Sequence, residues 1–308
     1  MITAARTSAR LLLIGGIAVS FGSSAAAQTA PTAAQSARYW KPVEDALGRK
    51  GTPNPGGVLK FSFPRSDLRV VLSGVILKPA LALGTWVAFK RIGDHVMVMG
   101  DLVLLDSEVA EVLGSLQQNG VEQTALHNHL VRESPHVMYM HIRAIGNAVR
   151  IAKAVRTALE FTQTPLAPAA TATAAPAALD LDTAGIAKVM GVRGKVNGGV
   201  YQLTFPRLEK IRQEKMDIPP AMGIATAINF QSTGAGKAAV TGDFVLLGRE
   251  VNPVIWALSE NGIEVTAIHS HMIGEEPRLF FMHFWANDDV GKLARGLRAA
   301  LERTRARR

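Results

Sequence analysis

The 308-residue chain contains much of itself twice. Residues 101–160 align with 243–302 at a constant offset of 142 and without a gap, and about 25 of those 60 positions are identical. Amphipathic patterning alone does not produce such agreement, so the fold must be one unit built twice. The shared text includes Gly-Asp-x-Val-Leu-Leu (100–105, 242–247), Thr-Ala-x-His-x-His (124–129, 266–271) and Met-His (140–141, 282–283). Upstream, Gly-Gly-Val (56–58, 198–200) and Phe-Pro-Arg (63–65, 205–207) keep the same offset. Between the copies, residues 162–183 are rich in Ala, Pro and Thr, the composition of a linker. The expected organisation is a leader at 1–27, a first repeat at 28–161, the linker, and a second repeat at 184–308.

Each copy predicts the order ββαββα. Strand-like runs at 85–90 and 96–105 precede a helix carrying Val109, Val112, Leu113 and Leu116, which Asn119-Gly120 stops. Strands follow at 123–130 and 137–143, then a helix with Ile151, Val155 and Leu159. The second copy repeats the pattern through Val251, Val254, Ile255 and Leu258 to Leu293, Leu297 and Leu301. This predicts an α+β layer structure with helices on one sheet face, and a pseudo-twofold pairing of the repeats over the other face.

The leader has a basic start (Arg6, Arg10), a short apolar stretch at 11–21 and Ala25-Ala26-Ala27, which together read as a signal peptide cleaved before Gln28. Export to the periplasm or outside is therefore expected. There the charge, +9 for the full chain and +7 once Arg6 and Arg10 are removed with the leader, points to anionic envelope components or a small anionic ligand rather than to nucleic acid. With no cysteine, disulfides, thiolate metal sites, cysteine nucleophiles and cysteine-anchored lipids are excluded.

Six of the eight histidines lie in the repeated block: His127, His129 and His141, and their counterparts His269, His271 and His283. Strand residues two apart share a face, so His127 and His129 point the same way. Pairing His127 opposite His141 and His129 opposite Tyr139 gathers all three on the face the helices leave free. Glu133 and Glu275 complete a His-x-His-x3-Glu-x7-His spacing in both copies. Imidazole and carboxylate suit a divalent transition metal, zinc first, with the glutamates as fourth ligands or general bases. The local His-x-His-x3-Glu string also occurs in cupins, but their flanking glycines are missing and the following helix does not suit a jelly roll. The alternatives are a metal-free polar binding or proton-transfer site and hydrogen-bonded structural histidines. Asp101 and Asp243, inside apolar runs, need partners and could bond a histidine. Arg65 and Arg207 are expected to be solvated, Met138 and Met140 to lie in the core, and His95 and His136 on the surface.

His127-Asn128-His129 with Met140-His141, and residues 242–247 with Ile268-His269-Ser270-His271 and Phe281-Met282-His283-Phe284-Trp285, resemble the LppY/LpqO family of exported proteins. The resemblance covers nearly the whole mature chain and implies export and duplication, but no activity. Its lipoprotein members have a lipobox cysteine that this chain lacks. Three functions stay open: a metal-dependent hydrolase, a binding protein for a metal or small anion, and an envelope-associated structural protein.

Overall fold

The computed structural model describes residue 1, residues 33–167 and residues 179–307. Apart from Met1, the expected signal peptide and its cleavage point lie outside the described residues, as does the middle of the expected linker. The chain divides into two compact units, Met1–Tyr39 and Trp40–Arg308. Both repeats belong to the second unit.

Helix α1 (Ala33–Leu47) leads into the first repeat. There follow β1 (Thr52–Asn54), β2 (Val58–Pro64), a hairpin of β3 (Val71–Leu72) and β4 (Val75–Ile76), α2 (Pro79–Ala82), β5 (Gly84–Ile92) and β6 (His95–Leu105). Then come α3 (Val109–Gln118), β7 (Glu122–His127), β8 (Val137–Gly146) and α4 (Ala148–Leu159). The second repeat has α5 (Thr183–Met190), β9 (Lys195–Asn197), β10 (Val200–Pro206), β11 (Ile211–Gln213), β12 (Met216–Ile218), β13 (Ala225–Gly234) and β14 (Lys237–Leu247). It closes with α6 (Gly248–Glu260), β15 (Glu264–His269), β16 (Glu275–Glu276), β17 (Leu279–Asp289) and α7 (Val290–Leu301).

Each half is thus a mixed structure around a six-stranded antiparallel sheet, in the order β1-β2-β5-β6-β8-β7 and β15-β17-β14-β13-β10-β9. The expected ββαββα unit is too small. The Gly-Gly turns at 56–57 and 198–199, with φ between +52° and +80°, fold the upstream segments into further hairpins that extend each sheet. The local signals for the helices hold. Asn147 and Asp289 accept hydrogen bonds from the backbone N–H of Arg150 and Lys292, capping α4 and α7.

Strand alternation decides what each sheet face does. On β14, Ala238, Val240, Phe244 and Leu246 join α5, α6 and α7 in a core with Leu258, Leu293, Leu297 and Leu301. Each such fully buried side chain contributes about 1.5–3 kcal/mol. The intervening Ala239, Thr241, Asp243, Val245 and Leu247 face the other way. That second face is covered by the other repeat. Two smaller clusters, each drawing residues from both halves, lie there: one with Val58, Met97, Met222, Val245 and Phe281, the other with Leu81, Val103, Tyr139, Val200 and Trp285.

The glycines before Asp101 and Asp243 let adjacent strands close up. A Cβ on Gly242 would stand 2.0 Å from the Ala227 carbonyl oxygen, and one on Gly100 2.8 Å from that of Trp86. Backbone cannot yield as a flexible side chain does, so Gly242→Ala is expected to cost about 1–3 kcal/mol in urea unfolding. Gly114→Ala, in open space on α3, should cost nothing. Equal stability of the two variants would show that the strand spacing at Gly242 is not fixed.

Candidate metal centre

Where the sheet faces of the two repeats meet, strands carry His127, His141, His269 and His283, and His129 and His271 join them from the loops after β7 and β15. His127 stacks on His269 with ring centroids 3.5 Å apart, His129 on His283 at 3.6 Å, and His141 on His271 at 3.6 Å. Each pair takes one ring from each repeat. Tyr139 covers the outer face of His129 at 3.4 Å and Phe281 that of His271 at 3.5 Å. Adding or subtracting 142 maps the His127–His269 pair onto itself and interchanges the other contacts in pairs. The same holds for the hydrogen bonds that join the halves here: Thr124 Oγ1 donates to the His271 carbonyl (2.6 Å), and Thr266 Oγ1 to that of His129 (2.5 Å).

The route by which the histidines meet differs from the expected register. His127 pairs with Tyr139 and Ala125 with His141, because the ladder shifts between Gln123 and Ala125. Strand β7 also ends at His127, not at residue 130. Asn128 turns the chain there, its Nδ2 donating to the Leu130 carbonyl at 2.7 Å. His129 therefore reaches the cluster from a loop.

Glu133 sits in the loop that follows His129, and Glu275 opens the short strand β16 that follows His271. Glu133 Oε1 accepts from Val137 N at 3.4 Å and Glu275 Oε1 from Leu279 N at 2.9 Å. Exposed His136 lies 3.7 Å from Glu133, and Arg278, its counterpart, 3.4 Å from Glu275. The acids beside the histidines are instead Asp101 and Asp243, which lie opposite His141 and His283 in the ladders. Asp101 oxygens stand 3.9 Å from His129 Nε2 and 3.8 Å from His141 Nε2; Asp243 stands 4.0 Å from His271 Nε2. These gaps are too long for hydrogen bonds. They are short enough for an ion about 2 Å from each atom to lie between them.

Hydrogen bonding leaves the ring nitrogens ready for that role. His283 Nδ1 lies 2.9 Å from the Gly242 carbonyl and His127 Nδ1 3.2 Å from that of Asn128. A carbonyl accepts, so Nδ1 carries the proton in each ring and Nε2 presents a lone pair. The Nε2 atoms of all six histidines, and one oxygen each of Asp101 and Asp243, are buried without a hydrogen-bond partner. Buried polar atoms are seldom left so. Among the described residues, three groups bring ligand atoms within 4.8 Å of one another and could hold a metal ion: His127, His129, His141 and His271; His127, His269 and His283; and Asp243, His271 and His283. Every two of these groups share a histidine, so they describe one connected centre rather than three separate ones.

Burial dominates the electrostatics. It lowers His127 to about 4 and His269 to about 3, and holds His129, His141, His271 and His283 well below the usual imidazole range, with the neighbouring imidazoles acting in the same direction. The histidines are neutral, as ligands must be. Burial pushes Asp101 up to about 8 and Asp243 well above the carboxylate range, the latter helped by the charge of Asp101. Sequence reasoning did not single out Lys60. Its Nζ lies 3.8 Å over the Trp86 ring, and burial lowers it to about 8 against the opposing pull of Asp101. The second repeat has Gln202 at that offset, so duplication gave no signal for it.

Two stretches, 41–161 and 184–303, match the family described as "Domain of Unknown Function (DUF1259)". The chain belongs to the DUF1259 family. It contains the domain twice, and the match carries neither an activity nor the LppY/LpqO name. No curated protein matches this DUF1259 chain. Among solved structures, a trimeric bacterial microcompartment shell protein, PduB, aligns at 12% identity and a TM-score of 0.25 over 83% of this chain and 91% of its own. EtuB from Clostridium kluyveri aligns at 10% and 0.24 over 82% and 90%. Likeness at that level carries no argument. Among the described residues of the DUF1259 chain, no helix is long and apolar enough to cross a membrane.

Proposed function

We propose that this chain is a metal-handling protein whose six repeated histidines hold a transition-metal ion between the two repeats. The observation that carries the reading is the convergence of six buried, unpartnered Nε2 atoms from both halves. A structural role for the histidines would ask for hydrogen bonds there, and a buried neutral ring without one is costly. Imidazole is a good ligand for zinc, copper, iron and nickel, so His127, His129, His141, His269, His271 and His283 form the ligand pool, with zinc the ordinary candidate. Asp101 and Asp243 supply the nearest carboxylates.

A second reading, a metal-dependent hydrolase, is favoured by one feature. His127 and His269 are only partly buried, so one side of the centre lies near solvent, where a metal-bound water could meet a substrate. Glu133 and Glu275 would then act as general bases reached by movement of their turns. The leader and the LppY/LpqO resemblance support an exported protein that meets this metal, or a small anion, in the cell envelope.

Elemental analysis of the protein purified from its native compartment tests the main reading. Because the ligand groups overlap, about one ion per chain is expected, on the coordination demand of three or four ligands per ion. A metal-free protein whose melting temperature is unmoved by zinc, copper, iron or nickel would overturn it. Turnover of ester or phosphoester substrates that is lost on chelation and restored by the ion would favour the hydrolase.

A further inference from the structure

The two clusters that flank the histidines are counterparts under the repeat offset, yet they differ in one respect. One end holds Met97, Met99, Met222 and Met272, all buried. At the matching positions the other end holds Ala239, Thr241, Leu81 and Leu130, also buried. Aliphatic filling therefore suffices for this packing, and the methionines are confined to a single end. Met99, Met222 and Met272 come from three separate segments, β6, the turn before β13 and the loop after His271. They line one small cavity together with His141 and His271. Its volume of about 10 Å³ is close to that of a single water-sized sphere. That admits an ion or a water and no organic molecule.

Thioether sulfur is a weak ligand for zinc and other harder divalent ions, and a good one for monovalent copper. Imidazole binds copper as well, so a cavity lined by three methionines and by two histidines whose Nε2 atoms are unpartnered suits a soft ion. We propose that the centre between the repeats takes copper(I), and that Met99, Met222 and Met272 form the path by which the ion reaches His141 and His271. This rests on the reading of the histidines as a metal centre and names the metal. Copper moves as the same monovalent ion throughout, so the transfer exchanges sulfur for nitrogen ligands and needs no electron donor.

The test is anaerobic titration of the full chain with copper(I) against a chromogenic chelator, and in parallel with zinc(II), for the wild type and for Met99→Leu/Met222→Leu/Met272→Leu. Leucine keeps the volume nearly constant, and Leu81 and Leu130 already fill two of the matching positions. The triple variant is expected to take up copper(I) at least about tenfold more slowly or more weakly, and zinc(II) within about twofold of the wild type. X-ray absorption of the wild type sampled during copper loading should show sulfur around part of the copper, reduced in the variant. Unchanged copper uptake in the variant, or a copper shell of nitrogen alone throughout loading, would overturn the proposal while leaving the histidine centre standing. If neither ion binds, the metal reading itself fails. Should the triple variant not fold, Met272→Leu serves the same comparison.

Discussion

In the presence of a strong chelator, the protein is expected to lose several kcal/mol of folding stability as the pH falls from about 6.5 to about 4. The sign follows from where protons bind. An unfolded histidine takes a proton near pH 6.5, whereas His127 in the fold resists until about 4 and His269 until about 3. Between those limits the unfolded chain binds more protons, so stability is full above 6.5 and drains away with acid. At about 1.4 kcal/mol per unit, His127 alone accounts for about 3 kcal/mol. The four more deeply buried histidines act in the same direction. Asp101 and Asp243 oppose them: with Asp101 raised to about 8, the fold keeps a proton that the unfolded chain gives up above 3.8, and acid returns that stability. Six imidazoles outnumber two carboxyls, so the net limb falls. Thermal melts in chelator at pH 7, 6, 5 and 4.5 should show a decline on the order of 10 °C. His129→Asn/His283→Asn should flatten it. A melting temperature constant over that range would mean that the histidines are not buried as neutral rings.

The duplication and the face on which the histidines gather were legible because both rest on short-range regularities, a constant offset and the two-residue strand period. The register was not. The shift between Gln123 and Ala125 that moves His127 opposite Tyr139 has no residue signature such as a glycine within it. The turn at Asn128 interrupts what reads as a continuous strand to residue 130, and only the tertiary contact with His283 explains why His129 still faces the cluster. Sequence spacing also did not show that Glu133 and Glu275 each accept a hydrogen bond from the backbone N–H four residues on. The carboxylates that do approach the rings, Asp101 and Asp243, were marked by a different signal, a charged residue repeated inside an apolar run. Met140 lies in the core as parity predicted, whereas Met138 is only partly buried. Met99 and Met272 meet only because the halves pack face to face, which no pattern within one repeat encodes.

Arg65 was the clearest departure. Following Pro64 at the end of β2, it reads as a solvated end-of-strand residue, yet its side chain is fully buried. Its guanidinium forms a two-pronged pair with Glu108 (Nη1 to Oε2 2.7 Å, Nη2 to Oε1 3.0 Å), donates to the Val103 carbonyl at 2.7 Å and meets Asp67 at 2.9 Å. Glu108 in turn accepts from Leu105 N at 2.8 Å, where the chain leaves β6 for α3. The second repeat reproduces the knot with Arg207, Glu250, Val245, Glu209 and Leu247. The planar fork, not the charge alone, fits this site, because it satisfies a carboxylate and a carbonyl at once. Truncating one partner of such a pair leaves the other charge buried, so Arg65→Ala and Arg207→Ala are each expected to cost about 3–5 kcal/mol in urea unfolding. Arg303→Ala, at an exposed position just past α7, should cost less than about 0.5 kcal/mol. Arg65→Met/Glu108→Gln removes both charges while a side-chain oxygen can still accept from Leu105 N, and it should recover part of the loss. If Arg65→Ala cost no more than Arg303→Ala, the guanidinium would have to be solvated after all, and the burial at the end of β2 would be wrong.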